Sequence, residues 1–131
     1  MSQENVELAY QASDAFNRRD LDALLALMDA DVEYVSALVA IEGGYHGHDG
    51  IRRWWKNLLD TFPDFIIEVV EVRDLGDLSV AVLRNRAHSA GSDTTIEQRQ
   101  WQVAQWRDKK LVWGCGYPTE AEALEAVRLR E

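Results

Sequence analysis

The sequence predicts an α+β domain in which helices gather on one face of an antiparallel sheet. Apolar residues first recur at helical spacing, and from Phe65 onward their period changes from 3.6 residues to 2. Thr119 and Glu122 then have capping-box spacing, which predicts a short closing helix. With 131 residues, the chain is predicted to form one domain over residues 1–131.

Two helices are predicted at the start of the chain. Ser2 would cap the first, which runs to about Asn17, and Asp20 would cap the second. The apolar face of the second helix is predicted to be Leu21, Leu24, Leu25 and Met28. Residues 29–31 would stop this helix, and residues 32–36 would form a short strand.

A third helix is predicted to open at Asp49, after a glycine-rich loop, and to end before Pro63. Its apolar stripe is broad and includes Trp54. Four strands follow, at residues 65–73 and 78–88 and in a last hairpin over residues 94–117.

The register of the last hairpin decides which side chains face the helices. A tight turn at Asp108-Lys109 would place four cross-strand pairs on the inner face: Trp106 with Leu111, Ala104 with Trp113, Gln102 with Cys115, and Gln100 with Tyr117. Extending the pairing places Val82 and Glu71 on this face as well. A slip of one residue would reverse these assignments.

The opposite, outer face of the sheet is predicted to carry Arg99, Trp101, Val103 and Gln105. Tryptophan beside valine is apolar surface, which predicts a homodimer through this face. The alternative is a β-bulge between Trp101 and Trp106 that turns both rings inward.

Composition excludes several classes of partner. The net charge of −9 argues against binding to nucleic acid or to an anionic membrane, because both require a basic face. The single cysteine, Cys115, forms no intrachain disulfide. The acidic N-terminus does not resemble a signal peptide, so a cytoplasmic location is predicted. Three scattered histidines predict no metal site, and no motif predicts a cofactor.

Three stretches of the chain resemble the SnoaL-like branch of the nuclear transport factor 2-like superfamily. They are VELAYQASDAFNRRDLDALLALMDADVEY, YHGHDGIRRWWKNLLDTFPDF and WQVAQWRDKKLVWGCGYPTEAEALEAV. The resemblance implies a cone-like curved antiparallel sheet wrapped around the N-terminal helices, with an apolar cavity inside. It also implies a homodimer, in agreement with the prediction for the outer face.

The superfamily contains enzymes and binding domains, so the resemblance does not choose a chemistry. Ketosteroid isomerases place a tyrosine, a general base and a second acid where this chain has Ala12, Ser36 and Gln102. Classical steroid isomerisation is therefore not expected. Epoxide hydrolases of this fold use an Asp-Arg-Asp set; Arg84 and Arg86 are present, but no inner pair of aspartates accompanies them.

Two functions remain open. In the first, an enzyme of isomerase or cyclase type acts on a compact apolar substrate: Gln102 and Tyr34 orient a carbonyl, and His46 or Glu71 moves a proton. In the second, the domain binds an apolar ligand without catalysis, or tryptophans fill its cavity. The sequence favours a ligand-binding pocket and leaves catalysis open. The predicted ligand contacts are Trp54, Val82, Gln100, Ala104, Trp106, Trp113 and Tyr117.

Overall fold

Three helices form the layer that covers the inner face of the sheet. In the computed structural model, which describes residues 3–130, they are α1 (Gln3–Asn17), α2 (Leu21–Ala26) and α3 (Gly47–Thr61). The predicted cap Ser2 lies outside the described residues. Within residues 3–130, no helix combines the length and the apolar character needed to cross a membrane.

Helix α2 is shorter than its apolar spacing predicts. Its N-cap is Asp20, as predicted, because Oδ1 accepts a hydrogen bond of 3.0 Å from the backbone N–H of Ala23. The helix ends at Ala26, and strand β1 (Met28–Val35) begins two residues later. The carbonyl of Leu27 accepts a hydrogen bond of 2.9 Å from the N–H of Leu111, so pairing with a distant strand ends the helix early.

Six strands form one sheet. After β1 come β2 (Tyr45–His46), β3 (Ile66–Leu75), β4 (Leu78–His88), β5 (Thr95–Arg107) and β6 (Lys110–Tyr117), in the spatial order β2-β1-β6-β5-β4-β3. Neighbouring strands are antiparallel except β1 and β6, which are parallel. The curved sheet around the N-terminal helices confirms the predicted fold class.

Helix α4 (Glu120–Arg130) packs on the outer face, opposite the other helices. Its start is the predicted capping box, in which the N–H of Glu122 donates to Oγ1 of Thr119 at 3.2 Å. Its side chains Ala123 and Val127 form a second small core with Val80 and Val103 of the sheet. The prediction that helices lie on one face is therefore wrong for α4, because both faces of β4 and β5 are apolar here and both are covered.

The last hairpin contains a β-bulge, but its extra residue lies in β6, so the alternative in which a bulge turns both Trp101 and Trp106 inward is wrong: Trp106 faces the helices and Trp101 faces outward. Its turn is the predicted one, with positive φ at Asp108 and Lys109. Trp106 lies opposite Leu111, as predicted, but the next pair is Gln105 with Trp113. One residue of β6 is thus unpaired. From Trp113 to Tyr117, each side chain of β6 therefore lies on the face opposite to the predicted one.

Candidate functional site

A cavity of about 100 Å³ lies between α1, α2, α3 and the inner face of the sheet. Helix α1 presents small side chains to it, which leaves the space open: Ala9, Ala12 and Ser13. The other lining residues are mainly apolar: Phe16, Leu24, Met28, Tyr34, Ile51, Trp54, Ile67, Val69, Ser79, Ala81, Leu83, Gln102, Ala104, Trp106 and Leu111.

Aromatic rings form the rigid part of this wall. The ring of Trp54, on the apolar stripe of α3, meets the ring of Tyr34 edge to face, with 5.3 Å between centroids. Trp106 is buried, and its indole N–H donates a hydrogen bond of 3.0 Å to Oγ of Ser79 on the neighbouring strand. Because the polar atom of this indole is satisfied within the wall, its ring presents apolar surface to the cavity.

A ladder of side-chain amides runs along the inner face of β4 and β5. The hydroxyl of Tyr34 donates to Oε1 of Gln102 at 3.4 Å, and Nε2 of Gln100 donates to the same oxygen at 3.4 Å. Nδ2 of Asn85 donates to Oε1 of Gln100 at 3.3 Å and to Oε1 of Gln98 at 3.2 Å. The ladder gives one end of an apolar cavity a strip of uncharged polar groups.

Tyr34 is the only ionisable side chain among the described residues that line the cavity. It is buried, and burial raises the pKa of its hydroxyl well above the usual range; the nearby Cys115 thiol acts in the same direction. Tyr34 is therefore a neutral phenol at physiological pH. It can donate a hydrogen bond but cannot act as a base. Among residues 3–130, no three His, Cys, Asp or Glu side chains are grouped as metal ligands.

Several predicted site residues do meet at this cavity. Tyr34, Gln102, Trp54, Ala104 and Trp106 line it. Gln100 lies just beyond, in a smaller space of about 20 Å³ that shares Tyr34 and Gln102 with the main cavity. Their roles in binding or catalysis stay predictions.

Three predicted ligand contacts lie on the outer face, so the prediction of their position is wrong. The bulge in β6 places Trp113 and Tyr117 opposite Gln105 and Trp101, where they pack in the core beneath α4. Val82 also pairs with Trp101, because β4 and β5 close on the pair His88–Thr95 and shift the predicted register by one residue.

The two predicted proton carriers also lie away from the cavity. A register shift between Val69 and Glu71 turns Glu71 outward, where its carboxylate lies 3.4 Å from a nitrogen of Arg73. His46 is exposed on the edge strand β2, with Nε2 2.8 Å from the carbonyl oxygen of Gly43. The cavity therefore lacks both of the bases that the sequence suggested.

Strand β4 contributes site residues that were not predicted. Ser79, Ala81, Leu83 and Asn85 face the helices. Apolar residues alternate on both faces of this strand, so hydrophobic period alone gives no preferred side. The asparagine within an apolar strand was the one available sign, since buried amides normally belong to a hydrogen-bonded group.

The family is shown by comparison with known proteins. The model of the SnoaL-like domain matches residues 9–113, so this chain belongs to the SnoaL-like family. No curated protein sequence matches it.

Solved structures share the fold at low sequence identity. An NTF2-like protein of unknown function from Burkholderia pseudomallei is 20% identical, with a TM-score of 0.80 and coverage of 95% of this chain and 97% of that one. A hypothetical protein with a ketosteroid isomerase-like fold from Catenulispora acidiphila, in complex with trimethylamine, is 17% identical, with a TM-score of 0.78 and coverage of 91% and 90%. TerC, co-crystallised with polyporic acid, is 20% identical, with a TM-score of 0.77 and coverage of 95% and 98%. These likenesses concern the fold alone.

Proposed function

We propose that this protein binds a compact, mainly apolar small molecule in the cavity between α1–α3 and the sheet. The observation that carries the proposal is the lining: aromatic and aliphatic side chains surround the space, and its polar groups are uncharged. Pockets of this composition, with few oriented polar groups, are typical of small-molecule sites. The phenol of Tyr34 and the amide of Gln102 lie at the polar end of the cavity, where the polar group of the ligand would be bound.

The volume limits the size of the ligand. Sites for drug-sized molecules usually measure about 300–1,000 Å³, and an engineered apolar cavity of about 150 Å³ binds benzene. A cavity of about 100 Å³ therefore favours a ligand near the size of a single ring.

The same lining favours binding over acid–base catalysis. An isomerase or cyclase needs a group that removes a proton near neutral pH, and the side chains that line the cavity supply none. His46 is exposed and Glu71 is turned outward, so neither would reach a substrate in this cavity. Turnover of a test compound would favour the enzyme instead.

A thermal-shift screen with single-ring hydrocarbons, alcohols and ketones tests the proposal. A ligand at about 100 times its dissociation constant stabilises the native state by about 2.7 kcal/mol, which raises Tm by several degrees. The variant Ala104→Leu, which fills part of the cavity, should lose this shift. Ala121→Leu, which adds the same volume at an exposed position of α4, should retain it. No shift with any compound, or equal shifts in both variants, would refute binding in this cavity.

The predicted homodimer through the outer face also remains a proposal. Helix α4 already covers Val103, so a partner copy would contact the part of β5 that carries Arg99 and Trp101. Arg99 is exposed and Trp101 is half-buried. Light scattering of the wild type and of Trp101→Glu tests this: a dimer that becomes a monomer supports it, and a monomeric wild type refutes it.

A further inference from the structure

A second, smaller space adjoins the main cavity at Tyr34 and Gln102. We call it the amide chamber; it measures about 20 Å³, and its polar lining is Tyr34, Ser36, Asn85, Gln100 and Gln102. A space needs about 10–15 Å³ to hold one water molecule, so the chamber has room for one small polar group. Because the two spaces share lining residues, one molecule could fill both.

In the amide ladder, the side chain of Asn85 donates hydrogen bonds but accepts none. Asn85 is 3% exposed, and its Nδ2 donates to both Gln98 and Gln100. Its other atom, Oδ1, is buried and has no hydrogen-bond partner. A buried acceptor without a donor is costly, and native proteins normally supply one. A donor group placed beside Oδ1 would satisfy this acceptor.

Ser36 offers the complementary group. Its Oγ accepts hydrogen bonds of 3.2 Å from the N–H groups of Leu38 and Val39, which orients the hydroxyl. A serine hydroxyl also carries one proton to donate, and these two bonds do not use it. Ser36 is 5% exposed and lines the same chamber as Asn85. An occupant can thus donate to Asn85 and accept from Ser36.

Asn85 also borders a void of about 10 Å³ on its other side. Apart from Asn85 and Gln98, the residues around that void are apolar: Leu38, Phe62, Phe65, Ala87 and Ile96. This volume is at the lower limit for a single water. The amide chamber, which is larger and has more polar partners, is the better place for a donor group.

We propose that the amide chamber binds the hydroxyl group of a compact alcohol whose apolar ring occupies the main cavity. This inference deepens the proposed function and rests on it. A hydroxyl both donates and accepts, which matches Oδ1 of Asn85 and the hydroxyl of Ser36. A ketone only accepts, so it would leave Oδ1 of Asn85 unpaired. An ammonium or carboxylate would be buried without an opposite charge, which is far more costly.

Binding of three matched probes to the wild-type protein tests the inference. Cyclohexanol, cyclohexanone and methylcyclohexane have similar shapes, and calorimetry can follow the binding of all three without interference from the absorption of the ketone. Cyclohexanol is expected to bind about tenfold more tightly than cyclohexanone, since a buried acceptor left unpaired has about this effect. Equal affinity of alcohol and ketone, with both bound, would overturn this inference and leave the proposed function intact. Failure of all three to bind would overturn both.

Two variants locate the effect. Asn85→Leu should remove the preference for alcohol over ketone while methylcyclohexane still binds. Ser36→Ala, which retains Asn85, should reduce the preference, and Ser89→Ala in the connection before β5 should leave it unchanged. If Asn85→Leu does not fold, the wild-type comparison and Ser36→Ala still decide. An unchanged preference in Ser36→Ala and in a folded Asn85→Leu would place the hydroxyl elsewhere and refute the inference.

Discussion

Gly116 lies so close to Gln100 that a Cβ atom on the glycine would overlap Nε2 of the amide. The glycine of β6 thus leaves the room in which the side chain of Gln100 extends across the sheet. The clash would involve the far end of a flexible side chain, so Gln100 can move aside. Gly116 therefore determines the position of the amide ladder more than it determines the backbone of β6.

Gly116→Ala is expected to displace Gln100 and break its hydrogen bonds to Gln102 and Asn85. The free energy of unfolding should fall by about 1–3 kcal/mol, because buried amides lose their partners. Chemical denaturation measures this change. In a Gln100→Ala background the clash disappears, so Gly116→Ala should then have little effect; an undiminished loss would show that the strain lies in the backbone.

Ser79→Ala is expected to lower the free energy of unfolding by about 1–3 kcal/mol. The indole N–H of Trp106 would lose its buried partner at 3.0 Å. The matched experiment repeats the substitution in Trp106→Phe, which has no N–H to satisfy. Equal losses in both backgrounds, measured by urea denaturation, would contradict a stabilising role for this hydrogen bond.

The stability of the protein is expected to fall at alkaline pH because of Tyr34. Burial raises the pKa of its hydroxyl in the folded state above the unfolded value of about 10. The native state holds the proton more tightly, so this contribution is fully present below pH about 10 and is lost as pH rises through the folded pKa. Tm measured between pH 8 and pH 12, values chosen to span about two units around the unfolded pKa, should fall less steeply in Tyr34→Phe.

Tyr117, on the outer face, allows the same experiment at a second tyrosine hydroxyl. Burial also raises the pKa of its hydroxyl. Tyr117→Phe should therefore flatten the alkaline decline as well, measured over the same pH series. A decline identical in wild type and Tyr34→Phe would argue against the buried position of Tyr34.

Tryptophan fluorescence can test the register of the last hairpin. Trp54 lines the cavity, whereas Trp113 lies on the outer face, where the guanidinium of Arg130 is 3.7 Å from the centroid of its ring. A ligand in the cavity should change the emission of wild type and of Trp113→Phe. The change should be reduced in Trp54→Phe and in Trp106→Phe, because these two tryptophans line the cavity. The reverse result would mean that β6 has the unbulged register.

The last hairpin was predicted correctly near its turn and wrongly farther along β6. The turn at Asp108-Lys109, the pair Trp106–Leu111 and the inward direction of Gln102 and Gln100 follow from local residues and alternation. Beyond one residue pair the prediction failed for β6, since an unpaired residue in a strand leaves no sign in a run as apolar as LVWGCGY.

Local residues and the alternation of apolar positions also predicted part of the candidate site. Trp54 lies on a helix whose period gives one apolar face, Ala104 lies two residues from the predicted pair Trp106–Leu111, and Tyr34 belongs to a short strand beside the helices. Val82 and Glu71 depended on register carried through two connections, where an error of one residue reverses the face. The inward position of Asn85 depends on the register of β4 with both β3 and β5, which the sequence does not give.

The amino-acid sequence alone determined the family, the α+β class, the capping of α2 and α4, and the hairpin turn. These depend on short-range spacing and on patterns that repeat along the chain. Only the tertiary structure decided that α4 covers the outer face, that Trp113 and Tyr117 point away from the cavity, and that no base lines the cavity among residues 3–130. The physical reason is that a strand has no preferred face of its own; packing and pairing with distant residues choose it.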